Sequence, residues 1–214
     1  MAPAPDSPPT QIALPLTVGE GGAPRRIVVG HANAHVIEAL QEPARWPFHT
    51  AILTGPPRSG KSLIGRWAQT RGIDVIDGAD RMDEDALFHR WNASQQGGPR
   101  AGEPLLLIAD QQPWRIGLPD LASRLGGSLQ LEIAEPDDVM AHQLIEALAE
   151  QRALTLADGA ADYLVPRAPR SFADLERLVA AIDRISLERQ VPATMSVWRA
   201  ALEALQGPEQ GRLI

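Results

Sequence analysis

The sequence predicts an α/β fold: a small parallel sheet flanked by helices, followed by a C-terminal helical domain. Three observations predict it. An eight-residue loop, Gly55-Pro56-Pro57-Arg58-Ser59-Gly60-Lys61-Ser62, sits between an apolar strand-like run and a run of helical spacing. The central block alternates strand-like and helix-like segments, the pattern of a parallel sheet with helical crossovers. From Asp137 onward the periodicity is purely helical.

Taken in order, residues 1–10 are proline-rich and predict neither helix nor strand. Gln11-Ile12-Ala13-Leu14-Pro15-Leu16 is an isolated apolar island, and Gly19 to Pro24 a flexible hinge, so 1–24 reads as a disordered tail. Arg26 to Gly30 reads as a brief extended segment and Asn33 to Gln41 as a short helix. Strands are expected at 50–54, 73–77, 104–109 and 128–133, with helices at 61–71, 83–96 and 119–125 between them. Together these make an α/β domain over 25–134. In the helical domain over 135–206, Val139, Met140, Leu144, Ala147 and Leu148 mark one apolar stripe. Leu175, Leu178, Val179, Ile182 and Ile185 mark a second. Ser171-Phe172-Ala173-Asp174 opens that helix as a capping box. A last helix covers 194–206, and 207–214 reads as a fraying tail.

Composition excludes several classes. With 214 residues the chain can bury one core and a small appended domain. It has no cysteine, hence no disulfide framework and no thiolate metal site, which fits a reducing cytoplasm. No apolar run approaches the roughly 20 residues of a membrane helix, and the N-terminus has no secretory-signal pattern. The formal charge of −7 argues against DNA wrapping. The five histidines are scattered and form no ligand pattern.

The loop Gly55–Ser62 is a complete GxxxxGK[ST] phosphate loop. Lys61 is the only lysine of the chain; every other basic side chain is arginine. A compact ammonium serves as a point charge on phosphate where a planar guanidinium does not. Lys61 would reach the β and γ phosphates of ADP or ATP, and the Ser62 hydroxyl would hold Mg²⁺. Pro56 and Pro57 lack an N–H, so the anion cradle must come from the later residues. Arg58 stands where many such loops carry glycine.

The apolar island is suited to docking. Pro15 fixes its own φ and biases Leu14 toward an extended conformation, which lowers the ordering cost on binding. Gln11 offers an amide that both donates and accepts. Gln11, Leu14, Pro15 and Leu16 resemble the QxxLPL-type peptide with which bacterial proteins bind the replicative sliding clamp, the β subunit of DNA polymerase III. An edge strand covering the core is the other reading of these residues.

Larger segments extend the likeness. Gly-Pro-Pro before Gly-Lys-Ser resembles the AAA+ ATPases. Ile27-Val28-Val29-Gly30-His31-Ala32-Asn33 resembles the opening of the ATPase domain in the DnaA family of replication initiators. Gly117-Leu118-Pro119-Asp120-Leu121-Ala122-Ser123-Arg124-Leu125 is similar to the arginine-finger segment of that family and of its shorter regulatory branch, Hda. Ser171 to Glu176 resembles the family's lid helix. The resemblance runs from Gln11 to about Leu205, and the chain stops before a helix-turn-helix domain, so no sequence-specific DNA binding is implied. What it implies is a clamp-loaded regulator that stimulates hydrolysis of DnaA-bound ATP, with ADP in its own pocket. Arg124 would be the finger, entering a neighbour's ATP site; Arg115 and Arg170 are rivals for the role. The head-to-tail geometry also permits self-association.

Departures from the family pattern predict weak or absent intrinsic ATP hydrolysis. Ile73 to Asp77 matches the Walker B strand, with Asp77 holding Mg²⁺ through water, yet the following acid is replaced by Gly78, and Asp80 is two residues further on. The family's usual second strand is missing. Asp110 matches sensor I, although Leu105 to Asp110 can also be aligned as Walker B. The sensor II arginine falls at Ala173, leaving Arg170 as a substitute. Two other functions stay open: a small P-loop nucleotide or metabolite kinase, for which no acceptor site or base is found, and a clamp-bound adaptor for another partner, indifferent to Arg124.

Overall fold

The computed structural model describes residues 26–95, 102–111 and 113–206. The docking peptide Gln11–Leu16 therefore lies outside the described residues. The described residues form two compact units: Ala32–Glu135 is one, and residues 26–31 join 136–206 in the other.

The first unit runs α1 (Ala34–Gln41), β1 (Thr50–Thr54), α2 (Lys61–Gln69), β2 (Asp74–Asp77), α3 (Glu84–Gln95), β3 (Leu105–Ile108), α4 (Pro119–Gly126) and β4 (Leu129–Glu132). The strands pair in parallel in the order β2-β3-β1-β4. Register is set by apolar runs: Leu53 lies opposite Ile108 on one side and Leu131 on the other. The strand expectations hold to within a residue or two at each end, where the ladder stops. A sheet of four strands among the described residues fits the expectation that the family's extra strand is absent.

Central strands buried on both faces need near-continuous apolar sequence, and Leu105, Leu106, Leu107 and Ile108 supply it. Ile52, Leu105 and Leu107 pack with Leu87 and Trp91 of α3 and Leu121 and Leu125 of α4. Gly65 of α2 faces β2 and β3, where a Cβ would come within 2.7 Å of Ile108 Cδ1. That close approach seats the helix directly behind the phosphate loop. Before α3, the sequence predicts a helix from residue 83, whereas a separate 3-10 turn occupies Ala79–Arg81 and α3 begins at Glu84. Asp83 caps α3 by accepting from Ala86 N at 2.9 Å.

The second unit comprises α5 (Asp138–Gln151), α6 (Ala160–Leu164), α7 (Phe172–Arg189) and α8 (Met195–Gln206). The second predicted stripe is internal: Leu175, Leu178, Val179, Ile182 and Ile185 share a core with Ile145, Leu164, Val197 and Trp198. The first is internal only in part: Met140 and Ala147 are buried and Leu144 and Leu148 pack partly buried against that core, whereas Val139 is exposed and Ile145, outside the predicted stripe, is fully buried. Helix α6 is too short for the sequence periodicity to reveal. Arg26–Gly30 forms no strand, and Gly30 lies against Met140.

Ser171 caps α7 as predicted, paired with Asp174 through its hydroxyl. Ser171 Oγ accepts from Asp174 N at 3.0 Å and donates to Asp174 Oδ2 at 2.6 Å. This hydroxyl, with Arg177 beside it, holds the Asp174 carboxyl below its usual range against the opposing effect of burial. The contribution is therefore full above the ordinary aspartate value and is lost as pH falls through the depressed one. Ser171→Ala is expected to lower stability by about 1 kcal/mol in a denaturant melt at neutral pH. The deficit should shrink under acid.

Candidate nucleotide-binding site

The phosphate loop leaves the C-terminal end of β1 and enters α2. Gly60, at the helix N-cap, adopts φ 87° and ψ 14°, a left-handed conformation that glycine takes without a Cβ penalty. Arg58 also has positive φ, at 65°. That is the structural reason for the glycine common at its position: here an arginine bears backbone strain. Ser59 N donates to Pro56 O at 3.3 Å, closing the turn that the two prolines begin.

Lys61 is buried at the loop's base. Its Nζ donates to Gly55 O at 2.9 Å and Pro56 O at 3.2 Å, and lies 3.2 Å from Asp110 Oδ1. Ser59 is buried as well, and its Oγ has no partner. An orphaned hydroxyl in a loop whose backbone turns around one point fits a phosphate group, which would accept from it. Ser62, the first-turn residue proposed for Mg²⁺, is exposed.

Strand β3 lies between the phosphate-loop strand β1 and the edge strand β2, so Asp110 just beyond β3 comes nearer the loop than Asp77 at the end of β2. Asp110 meets Lys61, as a sensor beside the phosphates would. Asp77 is exposed at the sheet edge. Asp80, the possible replacement acid, instead accepts through Oδ2 from Asp110 N at 3.1 Å and Gln111 N at 2.9 Å. Its employment is to fix the backbone that carries Asp110.

Sequence reasoning missed Arg81. Its Nη1 donates to Asp110 Oδ2 at 2.5 Å. The Arg81 guanidinium, and secondarily Lys61, hold the Asp110 carboxyl below the usual range despite some burial. The available signal was Gly78 followed three residues later by an arginine, in a turn too short to separate them.

Arg124 sits in the last turn of α4, half-buried. Its guanidinium carbon lies 4.8 Å from the Phe88 ring centre and 4.6 Å from that of Trp91, both on α3. Arg124 Nη1 donates to Asn92 Oδ1 at 3.1 Å. Glu84, at the start of α3, accepts from Gly117 N at 2.8 Å and Leu118 N at 2.6 Å. Helix α3 therefore holds both the beginning of the Gly117–Leu125 segment and its arginine. Arg115, in the loop before α4, is exposed. Arg170 belongs to the helical unit, where it pairs with Asp138 Oδ1 at 2.9 Å; Ala173 is in α7.

Among the described residues there is no His, Cys, Asp and Glu grouping that could hold a metal by itself, and no helix is long and apolar enough to cross a membrane.

Residues 138–202 match the family model for the Hda lid domain. The fold is shared with domain III of the replication initiation protein DnaA from Thermotoga maritima, at TM-score 0.63 and 13% identity, over 84% of this chain and 95% of that one. It is also shared with a replication initiator DnaA bound to AMPPCP and single-stranded DNA, at TM-score 0.54 and 18% identity, over 76% of this chain and 65% of that one. The Thermotoga maritima RuvB Holliday junction branch migration motor gives TM-score 0.57 at 14% identity, over 82% of this chain and 70% of that one. Among curated proteins, none matches the chain in sequence. These likenesses show an AAA+ fold carrying an Hda-type lid.

Proposed function

We propose that this Hda/DnaA-like AAA+ protein is a negative regulator of replication initiation. It docks on the DNA-loaded sliding clamp through Gln11, Leu14, Pro15 and Leu16. There it meets ATP-bound DnaA and stimulates hydrolysis by presenting Arg124 to the DnaA nucleotide site. The observation that carries the reading is the Hda-type lid joined to a core whose Gly117–Leu125 segment carries an arginine held on α3. Stacking engages the guanidinium plane and Asn92 takes one N–H, so further donors of the five remain for an oxyanion. A guanidinium is suited to charge developing on a transferring phosphoryl group.

Its own site would bind ADP or ATP in a structural role. Gly55, Pro56, Pro57, Arg58, Ser59, Gly60 and Lys61 would surround the phosphates. Ser62 and Asp77 would hold Mg²⁺, the latter through water, and Mg²⁺ would supply charge neutralisation. Asp110 would sit at the distal phosphate, with Arg170 standing in for the sensor II arginine that Ala173 replaces. With Gly78 in place of an acid, no carboxylate follows Asp77 to orient an attacking water. Purified protein is therefore expected to hydrolyse ATP more slowly than the ordinary enzymic range of ~1 s⁻¹ and above; turnover at tens per second would refute this. Lys61→Ala is expected to weaken nucleotide binding by at least about tenfold, since a charge-assisted contact to phosphate is lost. Equilibrium titration with ADP checks it. Such a protein would work in the cytoplasm, with the clamp and DnaA as partners and self-association as a further use of the head-to-tail surface.

A second reading has its own support. Because Arg124 is half-buried against Phe88 and Trp91, it can serve to brace α4 on α3. The protein would then be a clamp-bound adaptor for a different partner. The test is hydrolysis of DnaA-bound ATP with wild type and Arg124→Ala: no stimulation by either, with clamp binding retained, selects the adaptor.

A further inference from the structure

Arg81 lies three residues after Gly78, the position at which the family pattern carries a second acid. Gly78 leads out of β2 with φ 74° and ψ 37°, and the next three residues form one 3-10 turn. The left-handed backbone at 78 favours glycine, and the Arg81 guanidinium, the far end of an exposed side chain, lies over it where a Cβ would stand.

That cation reaches the phosphate loop through a single carboxylate. Asp110 Oδ2 accepts from Arg81 at 2.5 Å, and Asp110 Oδ1 lies 3.2 Å from Lys61 Nζ. Arg81 and Asp110 are 62% and 50% exposed at their side chains, whereas Lys61 is 7% exposed. The Arg81 guanidinium is open to an incoming anion, and the Asp110 carboxylate sits between two cations, the place a phosphate oxygen would take. Asp80 does not compete for the guanidinium through Oδ2, which is occupied by two backbone N–H groups.

We propose that Arg81 is a phosphate-binding residue of the nucleotide site. With Lys61 it grips the terminal phosphate of a nucleoside diphosphate, so that binding has little need of a divalent cation. As the phosphate takes over Lys61 from Asp110, Arg81 is one carboxylate's width away and supplies the second positive charge. Mg²⁺ at Ser62 and Asp77 then adds little. The inference rests on the nucleotide-binding reading above.

The test is titration of a fluorescent ADP analogue into the full chain, with EDTA and with Mg²⁺. Wild type, Arg81→Gln, Arg81→Lys and Lys61→Ala are compared, with nucleotide-free melting temperatures as the folding control. Wild type is expected to bind in EDTA within about threefold of its affinity in Mg²⁺. Arg81→Gln should lose about tenfold or more in EDTA, the scale of one hydrogen bond to a charged group, and regain part of it in Mg²⁺. Arg81→Lys should fall between. Equal binding by wild type and Arg81→Gln in EDTA, with Lys61→Ala impaired, overturns the role of Arg81 and leaves the nucleotide reading intact. A wild-type affinity that collapses in EDTA does the same. No wild-type binding in either buffer removes both.

Discussion

Arg124→Ala is expected to lower the stimulated rate of DnaA-bound ATP hydrolysis by ~10³-fold or more, to the rate of DnaA alone if that is reached first. The expectation follows from what a guanidinium supplies: a planar fork of donors aimed at oxygens whose charge grows only in the transition state. Arg124→Lys should recover little, because an ammonium cannot reproduce the fork and would stack less well on Phe88 and Trp91. The aromatic contacts make a graded test. Phe88→Leu keeps apolar bulk beneath the guanidinium but removes the ring, a loss of about 0.5–1 kcal/mol if the stack is all that changes. Its effect should be a few-fold, far below that of Arg124→Ala, with clamp binding unchanged. A thermal melt separates this from unfolding, since Arg124 also bonds Asn92 and helps join α4 to α3. Quantification of ADP on DnaA in single-turnover conditions reads the result.

Replacing Gln11, Leu14 and Leu16 together by Ala is expected to weaken binding to the sliding clamp by at least about a hundredfold. Each leucine seated in an apolar groove is worth about 1.5–3 kcal/mol, and two suffice for that factor. The peptide's proline limits the conformations lost on docking. Calorimetric titration against the purified clamp checks it, and the ADP affinity of the same variant should be unchanged, because the peptide is distant in sequence from the phosphate loop. Unaltered clamp affinity would mean that these residues serve some other purpose, such as the edge strand that the sequence also allows.

The parts legible in the sequence are those whose cause is local. β1, the phosphate loop and the start of α2 follow from an apolar run, glycines and helical spacing close together in the chain. The stripe of α7 follows from helical periodicity, whereas that of α5 is read one position off at Val139 and misses Ile145; Ser171 and Asp174 meet because a helix cap is a local motif. The hidden parts depend on contacts between separate elements. Arg81 meets Asp110 across 29 residues, because β2 and β3 are neighbours in the sheet. Arg124 meets Asn92 across 32 residues, because α3 and α4 share one face of that sheet. Asp80 illustrates the limit well. It stands two residues beyond the position of the missing acid, and only the path of the backbone after β3 reveals its bonds to Asp110 N and Gln111 N. Arg58 shows the reverse: a departure from glycine, visible in the sequence, becomes a left-handed backbone at φ 65° once the loop is seen.

The central claim is that a clamp-docked copy of this protein acts on the nucleotide held by DnaA. Its most direct test is a single-turnover experiment with DnaA preloaded with labelled ATP, clamp loaded on DNA, and this protein added last. Conversion to ADP should accelerate only when clamp, DNA and protein are all present, and should return to the basal rate with Arg124→Ala or with the Gln11, Leu14 and Leu16 triple variant. ATP decay on DnaA at one unchanged rate, with or without the wild-type protein on the clamp, would contradict the claim.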